Sequence, residues 1–262
     1  MLLELDSISF SYGEKRVLSN ISFTLDHSQI LLIAGENGSG KSTLLKLIST
    51  LLVPSSGKVR LSGIPYNADN YKEIRKRISY IFQKSDDNFC TATVRDEIAF
   101  KMVNASLCEK RVQEKTEQIL RMSALYDKRY ENPLYLSSGE KERLMLYSSC
   151  TMDEDLLIFD ESFSNMDERG RKEAISFITE MKKMGKGIIY VSHSIGEMDA
   201  SDRILILKDG NLLSLDESSN VLSNHEALYK SGLDIRVRDR SEYLMSREGF
   251  DFYEIKKILE GI

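Results

Sequence analysis

The stretch "QILLIAGENGSGKSTLLKLISTLL" (Gln29–Leu52) decides the fold. Residues 29–34 are a continuous apolar run, the pattern of a strand buried on both faces of a parallel sheet. "GENGSGKST" (Gly35–Thr43) then matches G-x-x-x-x-G-K-[ST], and a helical pattern follows over Lys41–Leu52. A strand, a glycine-rich loop and a helix in that order turn backbone N–H groups and the positive end of a helix dipole toward one point. Glycines let the backbone close on phosphate oxygens. Gly35, Asn37, Gly38, Ser39, Gly40 and Thr43 form the cradle. Lys41 is expected to reach the β- and γ-phosphates of a nucleoside triphosphate, and Ser42 to ligate Mg²⁺.

Outward from that loop, "LLIFD" (156–160), "KGIIYVS" (186–192) and "RILIL" (203–207) repeat the buried-strand pattern, with a helical stretch over Arg171–Lys183. Strand–helix alternation of this kind predicts an open α/β sheet. Residues 2–10, about 17–26 and about 58–64 alternate apolar and polar residues and read as an N-terminal set of shorter strands. From about 93 to 150 the pattern is helical. "TVRDEIAFKMVN" starts with Thr93 and Asp96 at capping-box spacing, and "EKRVQEKTEQILRMSAL" carries apolar residues at helical intervals. This reads as a helical insertion. After about 219 the chain turns to polar helices ending in "EIKKILEGI".

Several residues beyond the loop carry chemistry. A buried strand that ends in two acids is ordinary by itself; with the phosphate loop upstream, Asp160 is placed to hold Mg²⁺ and Glu161 to act as general base on water. His193 ends "YVSHS" on the same sheet edge. A lone histidine there is usually structural, but this position suits a contact to the γ-phosphate. Gln83, after "ISYIF", either closes a strand or turns its amide to Mg²⁺ or water. "LYLSSGEKERLMLY" (Leu134–Tyr147) poses a puzzle. Ser137-x-x-Glu140 is a capping box, so the chain has a second helix start suited to an anion, about a hundred residues from the first.

Composition narrows the class. With 262 residues, 41% hydrophobic and 29% charged, the chain can bury a core without disulfide or metal staples. The three cysteines, Cys90, Cys108 and Cys150, lack metal-ligand spacing and suggest a reducing compartment. No apolar run approaches the roughly 20 residues a membrane span needs, and the amino terminus lacks a signal peptide's basic and apolar regions. A net charge of −5 without a basic tract argues against nucleic acid as partner.

In order along the chain stand Tyr12, the phosphate loop, Gln83, "LSSGE", "LLIFDE", "SNMD" (Ser164–Asp167) and His193. Over about residues 2–218 this set resembles the ATP-binding-cassette (ABC) ATPases. The resemblance implies a P-loop NTPase with a RecA-like parallel sheet core, an N-terminal antiparallel β subdomain and an inserted helical subdomain at about 84–150. A small C-terminal helical extension over 219–262 would assist dimerisation. It also resolves the puzzle: in that family two cassettes pack head to tail, and each signature helix closes over ATP held by the other. Ser137 and Gly139 would thus touch the partner's ATP. Asp167 would lie in the loop crossing between sites, and Tyr12 would stack on adenine. The family signature is L-S-G-G-Q; here Ser138 replaces the first glycine and Glu140 the glutamine, and "SNMD" stands for S-A-L-D.

A narrower likeness lies in "FQKSDDNFCTATVRDEIAF" (82–100), which is similar to the F-Q-N-P-D-D-Q-x-F-x-x-T-V-x-x-D-x-A-F stretch of ATPases in energy-coupling-factor importers for vitamins, cobalt or nickel. The tail over 227–262 is similar to the C-terminal region of that branch. The implied function is an ATP-hydrolysing importer subunit on the cytoplasmic face of the membrane. Its implied partners are a transmembrane coupling subunit, a substrate-capture membrane subunit and a second ATPase chain, identical or paralogous. The alternatives are an ABC ATPase of another transporter class, a non-transport ABC ATPase, and a P-loop kinase or GTPase-like switch. The non-transport type usually carries a long coiled coil or two cassettes; the kinase or switch would leave "LSSGE" and His193 idle.

Overall fold

The computed structural model describes residues 1–81, 89–161, 163, 166, 168–192 and 200–223. Two sheets stand side by side. The first has strand order β2-β1-β4-β5, from β1 (Leu3–Tyr12), β2 (Lys15–Leu25), β4 (Ser56–Leu61) and β5 (Ile64–Pro65). All its pairings are antiparallel. The expected strand at about 58–64 is thus two, split by a turn in which Ser62 and Gly63 have positive φ.

The second sheet has order β10-β9-β3-β8-β7-β6. Its members are β3 (Ile30–Ala34), β6 (Ile78–Ile81), β7 (Leu156–Phe159), β8 (Gly187–Val191), β9 (Arg203–Lys208) and β10 (Asn211–Glu217). Strands β6, β7, β8, β3 and β9 run parallel, and β10 closes the edge antiparallel to β9. The four continuous apolar runs of the sequence are β3, β7, β8 and β9, and β3, β7 and β8 are buried along their whole length. Strand β3 lies between β8 and β9, so the chain leaves it in one direction and returns past it in the other. That reversal is where open α/β sheets bind ligands, beyond the carboxyl ends of their strands.

Each face of the parallel sheet has its own core. Ile33, Ile158, Ile189 and Leu205 pack with Leu44, Leu45 and Ile48 of α1 (Lys41–Ile48) and with the antiparallel sheet. The opposite face carries Leu32, Leu157, Phe159 and Tyr190 against Phe177, Ile178 and Met181 of α6 (Glu168–Lys183). Helix α1 stops short of the expected Leu52: Thr50 takes φ 63 and the N–H groups of Leu51 and Leu52 both turn to Lys46 O. Helix α6 begins three residues before the expected Arg171.

Helices α3 (Val94–Asn104), α4 (Glu109–Met122) and α5 (Ser138–Ser149) form the expected helical region, with a separate hydrophobic cluster of Val94, Ile98, Leu120, Leu125, Leu136 and Leu144. Thr93 caps α3, accepting from the Asp96 N–H at 3.1 Å. Consecutive acids tie this region to the sheet. Asp153 pairs with Arg111 (2.6 Å) and Lys115 (2.7 Å) of α4, the fully buried Glu154 with Lys101 of α3, and Asp155 with Arg77 (2.5 Å) before β6. Short helices α2 (Tyr71–Lys76) and α7 (Ser218–Ser223), with 3-10 turns at Tyr126–Lys128 and Pro133–Tyr135, complete the described elements. Of the C-terminal extension, only 219–223 fall within the described residues. No helix among those residues is long and apolar enough to cross a membrane.

Candidate active site

The phosphate loop is held from several sides. Gly35, Gly38 and Gly40 take φ of 144, 83 and 104. A Cβ on Gly35 would stand 2.2 Å from Leu207 O, and one on Gly40 would stand 2.7 Å from Leu18 Cδ2. Only glycine fits at Gly35, because β9 passes directly behind it. The turn between β9 and β10 supports the loop's centre: Asp209 and Gly210 both have positive φ, and the Gly210 N–H donates to Ser39 O at 3.1 Å.

Lys41 is 4% exposed and donates to Gly35 O (2.8 Å) and Glu36 O (2.9 Å). An ammonium has three donors, so these two carbonyls leave one for an anion seated in the loop. Burial pulls its pKa down, while the carboxylates of Glu161 and Asp160 oppose that. The buried Ser39 hydroxyl has no partner among the described residues. An orphaned hydroxyl in a glycine-rich loop is what a polyphosphate acceptor would satisfy.

Asp160 follows β7, its N–H accepted by Ile81 O of β6 at 3.0 Å. Its Oδ1 accepts from Ser42 Oγ at 3.1 Å, which joins the helix start of α1 to the end of β7. A serine hydroxyl and a carboxylate side by side are hard oxygen donors, the set Mg²⁺ prefers. The Tyr80 hydroxyl donates to Oδ2 of the same carboxylate at 2.6 Å. Burial, then this bond, push the phenol well above its ordinary pKa, so it stays a donor. The sequence reading missed Tyr80; its only signal was its place inside "ISYIF", on the same strand face as Ile78, since the pairing of β6 with β7 is not local. Glu161 adopts φ 52, a left-handed conformation uncommon for a non-glycine residue, which it shares with Thr50, Ser62 and Asp209 among others.

Away from the loop, Tyr12 ends β1 half exposed, edge-on to Phe10 at 4.8 Å between ring centroids. Ser137 caps α5, with both arms of the capping box present; Glu140 Oε2 accepts from Ser137 N (3.0 Å), Ser137 Oγ (2.9 Å) and Lys128 Nζ (3.0 Å). Partial burial pushes the Glu140 carboxyl up, but Lys128 and Ser137 outweigh it and hold it below the ordinary range. Gly139 lies inside α5, and a Cβ there would meet no atom within 4 Å. Asn37 and Gly38 form the exposed tip of the phosphate loop, and Thr43 is half buried in α1. The structure thus brings Lys41, Ser42, Asp160 and Glu161 together. Gln83, Asp167 and His193 lie outside the described residues.

The ABC transporter family model matches residues 18–164, which spans the phosphate loop, the α5 cap and the Asp160–Glu161 pair. The chain belongs to the ABC transporter ATPases. ATP is therefore its nucleotide and ATP hydrolysis its reaction. Among curated relatives, the energy-coupling factor transporter ATP-binding protein EcfA1 of Streptococcus mutans is 35% identical over 99% of this chain and 95% of its own length. The protein of the same name from Streptococcus pyogenes is 32% identical over 99% of this chain and 96% of its own. Among solved structures, cbiO1 of Clostridium perfringens, described as part of the ABC transporter complex cbiONQ, matches with a TM-score of 0.80 at 26% identity, covering 94% of this chain and 98% of that one. The ABC ATPase fold expected from sequence is the observed one.

Proposed function

We propose that this ABC ATPase powers an energy-coupling-factor importer from the cytoplasmic face of a membrane, as a peripheral subunit beside a transmembrane coupling subunit and a substrate-capture subunit. The observation that carries the reading is similarity to the EcfA1 proteins over 99% of the chain, beyond the span of the general family model. Two ATPase chains, identical or paralogous, pair head to tail around two ATP molecules, with the C-terminal extension helping to hold them. Gly139 supports the pairing, since nothing among the described residues requires a glycine there.

At each site the loop N–H groups, the Ser39 hydroxyl and Lys41 bind the phosphates, and Tyr12 stacks on adenine, which is worth roughly 1–3 kcal/mol. Ser42 and Asp160, with Gln83, would hold Mg²⁺, which would offset the charge of the phosphates. Glu161 takes the proton of the attacking water and His193 contacts the γ-phosphate. Ser137 and Gly139 close over the partner's ATP, and Asp167 lies between the two sites. ATP favours the closed pair by contacts that vanish after hydrolysis, so turnover drives an open–closed cycle in the membrane subunit.

Glu161→Gln is expected to slow ATP turnover by at least about 10²-fold while sparing ATP binding, measured by phosphate release and calorimetry. Turnover near the wild-type rate would remove Glu161 from the role. For the transport reading, the tagged chain is purified from detergent-solubilised native membranes and its companions are identified by mass spectrometry. A multi-span protein with a small membrane subunit is expected; recovery of this chain alone, or with nucleic acid, would overturn it.

A further inference from the structure

Asp160, one of the residues named for Mg²⁺, has an unassigned neighbour in Tyr80. Tyr80 sits on β6 in register with Ile158 of β7, so Ile158 and Asp160 are on the face of the sheet that Tyr80 also presents. That face carries α1 and hence Ser42. The phenol reaches along it to Asp160 Oδ2 at 2.6 Å, the short range of a bond to an ionised acceptor, while Oδ1 accepts from Ser42 at 3.1 Å. The torsion that sets an aspartate's carboxyl plane is broad and roughly two-fold, so nothing intrinsic fixes which oxygen faces Ser42. With both oxygens engaged, the plane is set.

We propose that Tyr80 is a positioning residue for the metal–nucleotide site: its hydroxyl fixes the Asp160 carboxylate so that the oxygen beside Ser42 stays aimed at the cation. This rests on the reading of Ser42 and Asp160 as Mg²⁺ ligands. Partners that orient a metal ligand typically change metal affinity 10- to 100-fold when removed. A tyrosine that merely packs on an edge strand changes stability and leaves metal dependence alone.

The test uses the full chain and a non-hydrolysable ATP analogue, titrated calorimetrically with Mg²⁺ and with chelator. In Tyr80→Phe the Mg²⁺-dependent gain in affinity is expected to shrink about 10-fold, with affinity in chelator unchanged within about twofold. The Mg²⁺ concentration giving half-maximal ATPase rises by a similar factor. Tyr80→Leu, which loses the ring as well, is expected to shift metal dependence no further while unfolding at a lower temperature. Asp160→Asn abolishes the Mg²⁺-dependent gain, and adding Tyr80→Phe to it changes nothing more. Wild-type Mg²⁺ dependence in Tyr80→Phe, whatever its melting temperature, overturns the proposal. An undiminished Mg²⁺ gain in Asp160→Asn would instead remove the ligand reading on which it rests.

Discussion

The starts of α1 and α5 are both helix N-termini suited to an anion, but they are built in opposite ways. At α1 the chain's own packing demands the glycines: Gly35 lies against Leu207 O, Gly40 against Leu18, and Lys41 is buried on loop carbonyls. At α5, Ser137 and Ser138 are exposed and Gly139 has open space where a side chain could stand. A glycine in a helix costs up to about 1 kcal/mol relative to alanine. The phosphate loop of the first site is held by contacts within one chain. The second carries a glycine that no described residue of its own chain requires, which fits closure over a nucleotide held elsewhere.

Substitutions can break that contrast. The largest effect is expected from Gly35→Ala, which forces a side chain into backbone at a φ open essentially to glycine. Strain and overlap together should cost about 3 kcal/mol or more, lowering the melting temperature by several degrees in a thermal scan. If stability is unchanged, the loop is not packed as described. Gly139→Ala should do the reverse: melting at or slightly above the wild-type temperature, with ATPase activity of the assembled complex down at least about 10-fold, the scale of losing one well-placed contact. Full activity would show that the open space at Gly139 meets nothing.

The smallest effect concerns Glu140. Glu140→Gln keeps an acceptor for the Ser137 N–H but loses the charge pair with Lys128, at a cost of up to about 1 kcal/mol. Because Glu140 is held below the usual carboxylate range, its contribution is present above pH 4.5, the ordinary value, and is lost as pH falls through the lower folded value. The melting difference between wild type and Glu140→Gln should therefore be seen at pH 7 and fade as pH falls below the ordinary carboxylate range. A difference that persists unchanged in acid would contradict the assigned pairing.

What the sequence revealed depended on whether the determinant was local. The phosphate loop and the α5 cap could be read because loop, cap and helix are contiguous, and the buried strands because their apolar runs are unbroken. Strand β10 was not anticipated: "NLLSLDE" lies half exposed at the sheet edge and follows β9 through the tight Asp209–Gly210 turn. Six-residue α2 is too short to show a helical period. Tyr80 went unnoticed because its partner is 80 residues away and reaches it only through the pairing of β6 with β7. The roles of Lys41, Ser42, Gln83, Asp160, Glu161 and His193 were read from motif and strand-end position, whereas those of Tyr12, Ser137, Gly139 and Asp167 came from the ordered resemblance.

The central claim is that α5 closes over ATP bound to another ATPase subunit. It is tested most directly with an ATP analogue carrying a photoreactive group on the γ-phosphate. The probe is applied to the complex isolated from membranes and to the dilute single chain, and labelled peptides are mapped by mass spectrometry. The account predicts phosphate-loop labelling in both samples, with labelling of Ser137–Glu140 only in the assembled complex. Equal labelling of Ser137–Glu140 in the dilute chain, or none in the complex, would contradict it.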